Sequence, residues 1–92
     1  MVPFSPRQID VLKALSAKAL TTEDLNSILE MESKSWEVQR RERSMLVKEL
    51  NQLGMEIFGQ DLVLREKAPH DKRQVQYVLN EELRSDLARL MR

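Results

Sequence analysis

The feature that most constrains the fold of this chain is a change in hydrophobic spacing near Gly54. Apolar residues repeat every three or four positions before Gly54 and every two positions after it. The first spacing is typical of helices that bury one face, and the second is typical of strands. The sequence therefore predicts an α+β fold in which helices come first and a pair of strands follows.

Two helix starts are marked by reciprocal capping pairs. Ser5 with Gln8 and Thr21 with Asp24 each place a hydroxyl three residues before a side chain that can reach back to the cap. Such a pair satisfies backbone N–H groups that the first helical turn leaves without partners. The two helices are predicted to span about residues 6–17 and 22–31.

The third predicted helix, about residues 35–53, is unusual because its first half is polar. Nothing interrupts it before Gly54, which is the expected terminator. Trp36 falls on the same side as the leucines of the second half and is expected in the core. Residues 39–44 contain no apolar side chain, so this half is expected to project from the body. Arg43 falls on the leucine side, and the pattern does not explain it.

After Gly54 the chain reads as a β-hairpin followed by a helix. Strands are predicted over about residues 62–67 and 74–79, with the polar residues 68–73 at the hairpin tip. A final helix is predicted over about residues 81–91, capped by Asn80. Three helices, a two-stranded hairpin and a C-terminal helix are the order of a winged helix-turn-helix domain, here predicted as one domain over residues 1–92.

The charges of the chain are balanced in total but not in distribution. Fifteen basic and fifteen acidic residues cancel. Residues 21–32 carry four acids and no base, whereas in residues 33–48 five bases against two acids give +3. Residues 49–64 carry three acids, and in residues 65–74 four bases against two acids give +2. The two basic segments therefore fall on the third helix and the hairpin.

This distribution predicts DNA binding. In a winged helix the third helix enters the major groove, and the hairpin lies over neighbouring phosphates or the minor groove. Arginine can read guanine, glutamine can read adenine, and lysine pairs with phosphate. The candidate DNA-binding residues are Lys34, Ser35, Gln39, Arg40, Arg41, Ser44, Lys48, Lys67, Lys72 and Arg73.

Residues 62–80 resemble the wing of MarR-type transcriptional regulators. In that family a hydrophobic pair and an arginine open the hairpin, and an Asp-x-Arg element lies near its tip; the matching residues here are Asp71 and Arg73. Residues 4–12 look like the start of the family's DNA-binding lobe. The resemblance implies that Arg73 contacts the minor groove or the backbone while Asp71 orients the wing.

The sequence thus predicts a sequence-preferring double-stranded DNA binder that acts in transcription or in the control of a mobile element. A homodimer is expected, because one small reading head gives little affinity and specificity at cellular salt, and residues 83–91 are its candidate surface. No cofactor, metal, small-molecule ligand or membrane contact is inferred. A cytoplasmic location is expected, since neither a signal peptide nor a membrane span is evident and the chain has no cysteine.

Two other functions are weighed against DNA binding. A winged helix can also serve as a protein-interaction module without contacting DNA, with Trp36 and Met45 as interface anchors. An enzyme is disfavoured, because the one histidine, His70, lies on a predicted loop and no glycine-rich phosphate loop is present.

Overall fold

The α+β class predicted from the sequence is confirmed in a computed structural model that describes residues 2–91. Met1 and Arg92, the ends of the predicted domain, lie outside the described residues. Within residues 2–91 the chain forms four α-helices and one three-stranded antiparallel sheet. The elements are α1 (Pro6–Ala17), β1 (Leu20–Thr21), α2 (Thr22–Ile28), α3 (Trp36–Phe58), β2 (Val63–Ala68), β3 (Asp71–Leu79), a 3₁₀ turn (Glu81–Leu83) and α4 (Arg84–Leu90).

Both predicted capping pairs are confirmed. The backbone N–H of Gln8 donates to the Ser5 hydroxyl at 3.3 Å, and the backbone N–H of Ser5 donates to Gln8 Oε1 at 2.8 Å. Thr21 and Asp24 exchange the same two bonds at 3.0 Å each. The start of each helix is therefore fixed by residues close together in sequence, and α1 has the bounds that the pattern predicts.

Helix α2 ends at Ile28, three residues before the predicted Met31. Glu30 has a φ of 56°, the left-handed conformation that usually selects glycine. The N–H of Met31 donates to the Asn26 carbonyl at 2.8 Å, and the N–H of Glu30 donates to the Ser27 carbonyl at 3.1 Å. These two bonds form a Schellman motif, which ends the helix without the glycine that would have marked it in the sequence.

Helix α3 continues through Gly54, so the prediction that it ends at residue 53 is wrong. Gly54 is buried, and a Cβ there would lie 2.5 Å from the carbonyl oxygen of Gln60 and 2.9 Å from the nitrogen of Leu62. The glycine is thus needed for the close passage of the returning chain, not for a turn. The helix ends before Gly59, which has a φ of 75°.

The sheet has three strands in the order β1-β3-β2, not the two-stranded hairpin predicted. Leu20 and Thr21 of β1 pair with Tyr77 and Gln76 of β3. A strand of two residues has no alternating pattern that a sequence could reveal. β2 is shifted by one residue from the predicted 62–67, and β3 begins three residues before the predicted 74–79, so only Pro69 and His70 form the turn. Polar residues 71–73 belong to β3, because an exposed strand needs no apolar side chains.

The core lies between the sheet and the helices. Buried leucines come from α1, α2 and α3, and they meet Leu62, Val63 and Leu79 of the sheet region. The last predicted helix, 81–91, is a 3₁₀ turn followed by α4. Leu83 and Leu87 are buried in this core, so the apolar side of the candidate dimer surface packs within its own chain. Among residues 2–91, no helix is both long and apolar enough to cross a bilayer.

Candidate nucleic-acid interface

A groove of about 490 Å³ lies between the first half of α3 and the sheet. One wall is formed by one face of α3, the other by β2 and β3, and one end by β1 and the start of α2. We call this site the groove. Its lining residues are Trp36, Arg40, Arg43 and Ser44 of α3, Arg65, Arg73, Gln74, Val75 and Tyr77 of the hairpin, and Thr21, Thr22 and Glu23.

Strand pairing explains the sheet wall of the groove. Arg65 of β2 lies opposite Tyr77 of β3, two positions from the pair of Val63 and Leu79. Side chains two positions apart along a strand lie on the same face of a sheet. Val63 and Leu79 are buried, so the same face forms the core at the base of the hairpin and the groove wall further out.

The groove is strongly cationic although the chain is neutral. Four arginines, Arg40, Arg43, Arg65 and Arg73, line it against one carboxylate, Glu23, which gives a local charge of +3. A concave surface lined by one sign of charge focuses the field and attracts anions. The groove therefore favours an anionic ligand.

The arginine that the helical pattern leaves unexplained, Arg43, has a polar partner. Its Nη1 donates to Asn26 Oδ1 of α2 at 2.7 Å. The guanidinium is half-buried and lines the groove from the helix wall. Because its partner is a neutral amide, this bond orients Arg43 without cancelling its charge.

Trp36 lies at the edge of the groove and not in the core, so its predicted burial is wrong. It is 65% exposed, and the Arg40 guanidinium lies 5.6 Å from the centre of its ring. The buried stripe of α3 begins only at Leu46, ten residues later. The first turn of the helix therefore extends past the core, which leaves Trp36 exposed.

The polar sequence of the first half of α3 predicts that it projects from the body. This prediction is wrong, because several polar contacts hold it against the body. The side-chain amide of Gln39 donates to the Met31 carbonyl at 2.9 Å. Glu42 lies 3.8 Å from the guanidinium of Arg7 in α1. With the bond from Arg43 to α2, these contacts hold the inner side of the helix by polar groups, while its outer side stays exposed.

Asn51 joins α3 to the edge of the sheet and so fixes the two walls of the groove. Its Nδ2 donates to the Val63 carbonyl at 3.1 Å, and the N–H of Val63 donates to its Oδ1 at 2.8 Å. β2 is an edge strand, so these backbone groups have no neighbouring strand on that side. Asn51 was not predicted from the sequence. The only indication there is that a side-chain amide lies next to the leucines of α3.

Five of the ten candidate residues lie in or next to the groove. Arg40, Ser44 and Arg73 line it directly. Lys48 and Lys67 line smaller clefts that share residues with it. The third helix and the hairpin thus contribute to one surface, as the charge pattern predicts.

The other five candidates lie elsewhere. Lys34 lines a separate cleft on the side of α1. The Ser35 hydroxyl caps α3, and the Gln39 amide is bonded to the preceding loop. Arg41 and Lys72 are exposed outside the groove.

The groove contains residues that the sequence prediction did not select. Arg43 was an unexplained polar residue on an apolar face, and that mismatch was its signal. Arg65 and Tyr77 alternate with outward-facing positions of the hairpin, so their shared face follows only once the strand pairing is known. Gln74 and the residues of the β1–α2 junction come close only through tertiary structure.

Comparisons of the chain with protein-family models, with curated proteins and with solved structures find no match. The class of site is therefore defined by its own geometry, as an arginine-lined groove between a helix and a hairpin. Among residues 2–91, no three His, Cys, Asp or Glu side chains are placed to hold a metal ion.

Proposed function

We propose that the protein binds double-stranded DNA with sequence preference, with α3 in the major groove and the β2–β3 hairpin over the adjacent backbone or minor groove. In this proposal α2 and α3 form a helix-turn-helix, and the hairpin with β1 forms the wing. The observation that carries the proposal is the groove, where Arg40 and Arg43 of the helix and Arg65 and Arg73 of the hairpin line one concave surface.

The dimensions and chemistry of α3 suit the major groove. An α-helix is about 10–12 Å across with its side chains, and the major groove is about 12 Å wide. Arg40, Arg41, Ser44 and Lys48 are exposed along the outer side of α3. Arginine can bond two guanine acceptors at once, and serine or lysine can bond phosphate.

The geometry of the hairpin tip also favours contact with DNA. The N–H and the Nε of Arg73 donate to Asp71 Oδ1 at 3.0 and 3.3 Å. The Arg73 side chain is 92% exposed, so this pair orients an arginine that otherwise extends into solvent. The pair matches the Asp-x-Arg element on which the resemblance to MarR-type regulators rests.

We further propose that the protein acts as a small transcriptional regulator or mobile-element control protein, and as a dimer. The dimer follows from the modest affinity and specificity of one small reading head. The leucines of α4 pack in their own core, so the dimer would form through another surface.

A titration of the protein against random duplex DNA at two salt concentrations tests the proposal, with light scattering to give the mass. Several phosphate contacts should make the affinity fall steeply as salt rises. Failure to bind duplex DNA at low salt would refute the proposal, and so would an affinity that salt does not change.

One observation favours a second function, a protein-interaction module. Trp36 and Met45 are 65% and 51% exposed on α3, and aromatic residues and methionine are enriched in protein interfaces. A mainly apolar contact of this kind should persist at salt concentrations that release DNA. Substituting Trp36 by alanine should abolish such a contact.

A further inference from the structure

Two arginines on opposite walls of the groove, Arg43 and Arg65, carry an inference that rests on the proposed function. We propose that they form a phosphodiester-binding subsite, which takes one strand of the DNA backbone where it passes between α3 and the hairpin. Neither residue is among the candidates predicted from the sequence.

Neither Arg43 nor Arg65 has a carboxylate partner among residues 2–91. Of the eight arginines in residues 2–91, four lie within 4.0 Å of a carboxylate, namely Arg7, Arg73, Arg84 and Arg89. The other four lack such a partner among the described residues, and three of them, Arg40, Arg43 and Arg65, line the groove. Among the arginines, the positive charge that no carboxylate offsets is thus concentrated at one site.

Both side chains contact neutral partners. Arg43 donates to the Asn26 amide oxygen at 2.7 Å, and Arg65 lies 5.9 Å from the centre of the Tyr77 ring. A guanidinium that is already oriented loses less conformational freedom when it binds, and its planar fork matches the oxygens of a phosphate. Both residues keep their full charge for a ligand.

The proposed placement of α3 and the hairpin also determines the path of the DNA strand. The backbone is the ridge that separates the major groove from the minor groove. If α3 occupies one groove and the hairpin lies over the other, this ridge passes between them and over Arg43 and Arg65. Residues there contact phosphate and not base edges, so they add affinity without sequence preference. Glu23 at the α2 end of the groove disfavours a phosphate beside it.

The test uses Arg43→Gln and Arg65→Gln, each alone and together, in the full chain. Lys13→Gln is the matched control, because Lys13 is exposed on α1 and lines no part of the groove. The Kd for a labelled random duplex is measured by fluorescence anisotropy at about 50 and about 200 mM salt. Arg43→Lys, which keeps the charge, and circular dichroism show whether loss of the Asn26 bond disturbs the fold.

Each lost phosphate contact reduces the salt dependence by a calculable amount. With a slope of about 0.9 per contact, the ratio of the two Kd values should fall about 3.5-fold for each single variant and about 12-fold for the double variant. Lys13→Gln should keep the wild-type ratio. If Arg65→Gln and the double variant also keep the wild-type ratio of Kd values while the wild type binds duplex, the proposed subsite is wrong and the proposed function stands.

Two further outcomes separate the subsite from other possibilities. If the wild type does not bind duplex at about 50 mM salt, the proposed function fails and the subsite fails with it. A deoxynucleoside monophosphate is added as a competitor at constant ionic strength. If the monophosphate displaces the duplex at concentrations close to the Kd of the duplex, the site binds small anions and the assignment to a continuous strand is overturned. If the monophosphate does not displace the duplex, that assignment is supported.

Discussion

At the scale of single residues, the geometry of the groove depends on side chains that do not line it. Asn51 replaces the missing neighbour of an edge strand by bonding both the N–H and the carbonyl of Val63. Asn26 accepts a hydrogen bond from Arg43 and so orients its guanidinium. Polar side chains thus hold α3 against the sheet through Asn51 and against α2 through Asn26.

Asn51→Ala should lower the free energy of unfolding by about 1–3 kcal/mol. The substitution leaves two backbone groups of Val63, a residue 3% exposed, without their partner. Chemical denaturation followed by circular dichroism measures the loss. Gln52→Ala, at the neighbouring exposed position, is the control and should change stability by less than about 0.5 kcal/mol. Equal stability of the two variants would show that the Asn51 bonds contribute nothing.

Sequence reasoning at this scale finds local interactions and misses those that depend on the fold. The bonds of Ser5 with Gln8 span three residues, so the pattern alone predicts them. The bond from Arg43 to Asn26 spans seventeen residues and has no sequence pattern. The burial of Trp36 is wrongly predicted for a related reason. Helical periodicity shows which side of the helix a residue lies on, but not where along the helix the core ends.

At the scale of elements, α3 is longer than the sequence pattern predicts, with 23 residues from Trp36 to Phe58. The helix continues beyond Gly54, and the returning chain passes so close to that residue that a Cβ there would collide with its backbone. Sequence reasoning treats a glycine near the end of a helical pattern as a terminator. Here the same residue permits close packing, and only the tertiary structure distinguishes the two roles.

Gly54→Ala should destabilise the protein by about 1–3 kcal/mol, because the new methyl group would collide with backbone atoms of Gln60 and Leu62. At an exposed helix position the same change stabilises by about 1 kcal/mol, so the sign of the effect is diagnostic. Thermal unfolding of the variant measures it. A gain in stability would mean that α3 and the following loop do not pack as described.

Glu30→Gly should stabilise the protein by roughly 0.5–1 kcal/mol. The left-handed conformation of Glu30 costs an L-residue about 1–2 kcal/mol, and glycine avoids this cost while losing more chain entropy on folding. The change also removes a carboxylate from the negative end of the α2 dipole. Glu30→Ala separates the two effects, since it removes the charge but keeps the strain. A lower melting temperature for Glu30→Gly would contradict the Schellman motif.

The contact between α4 and α1 should depend on pH. Arg84 donates to both carboxylate oxygens of Glu81 at 2.8 Å and to the Ser16 carbonyl of α1 at 2.6 Å. The bond from Arg84, opposed by desolvation and aided by its charge, lowers the pKa of Glu81. A lowered pKa stabilises the fold above the ordinary pKa of a glutamate, and this stabilisation is lost as the pH falls through the lowered value.

The melting temperature of the wild type should therefore exceed that of Glu81→Gln at neutral pH and converge with it under acid. The exposed position of Glu81 keeps this difference small. Thermal unfolding of both proteins from neutral to acidic pH measures the convergence. A difference that stays constant with pH would show that the ionised carboxylate of Glu81 is not involved.

At the scale of the whole molecule, a neutral chain concentrates charge on one surface. Fifteen bases and fifteen acids cancel in total, yet the groove holds four arginines and one carboxylate. The sequence predicts this separation as alternating charged segments on the third helix and the hairpin. It does not predict that the inner side of α3 is held by polar contacts, or that β1 joins the sheet, because both depend on residues distant in the chain.

The most direct test of the central claim is the fluorescence of Trp36 during a titration with duplex DNA. Trp36 is the one tryptophan of the chain and lies at the edge of the groove. We predict a saturable change in its emission at low salt that rising salt reverses. Binding of duplex, seen by anisotropy, without any change in Trp36 emission would place the DNA elsewhere and contradict the account.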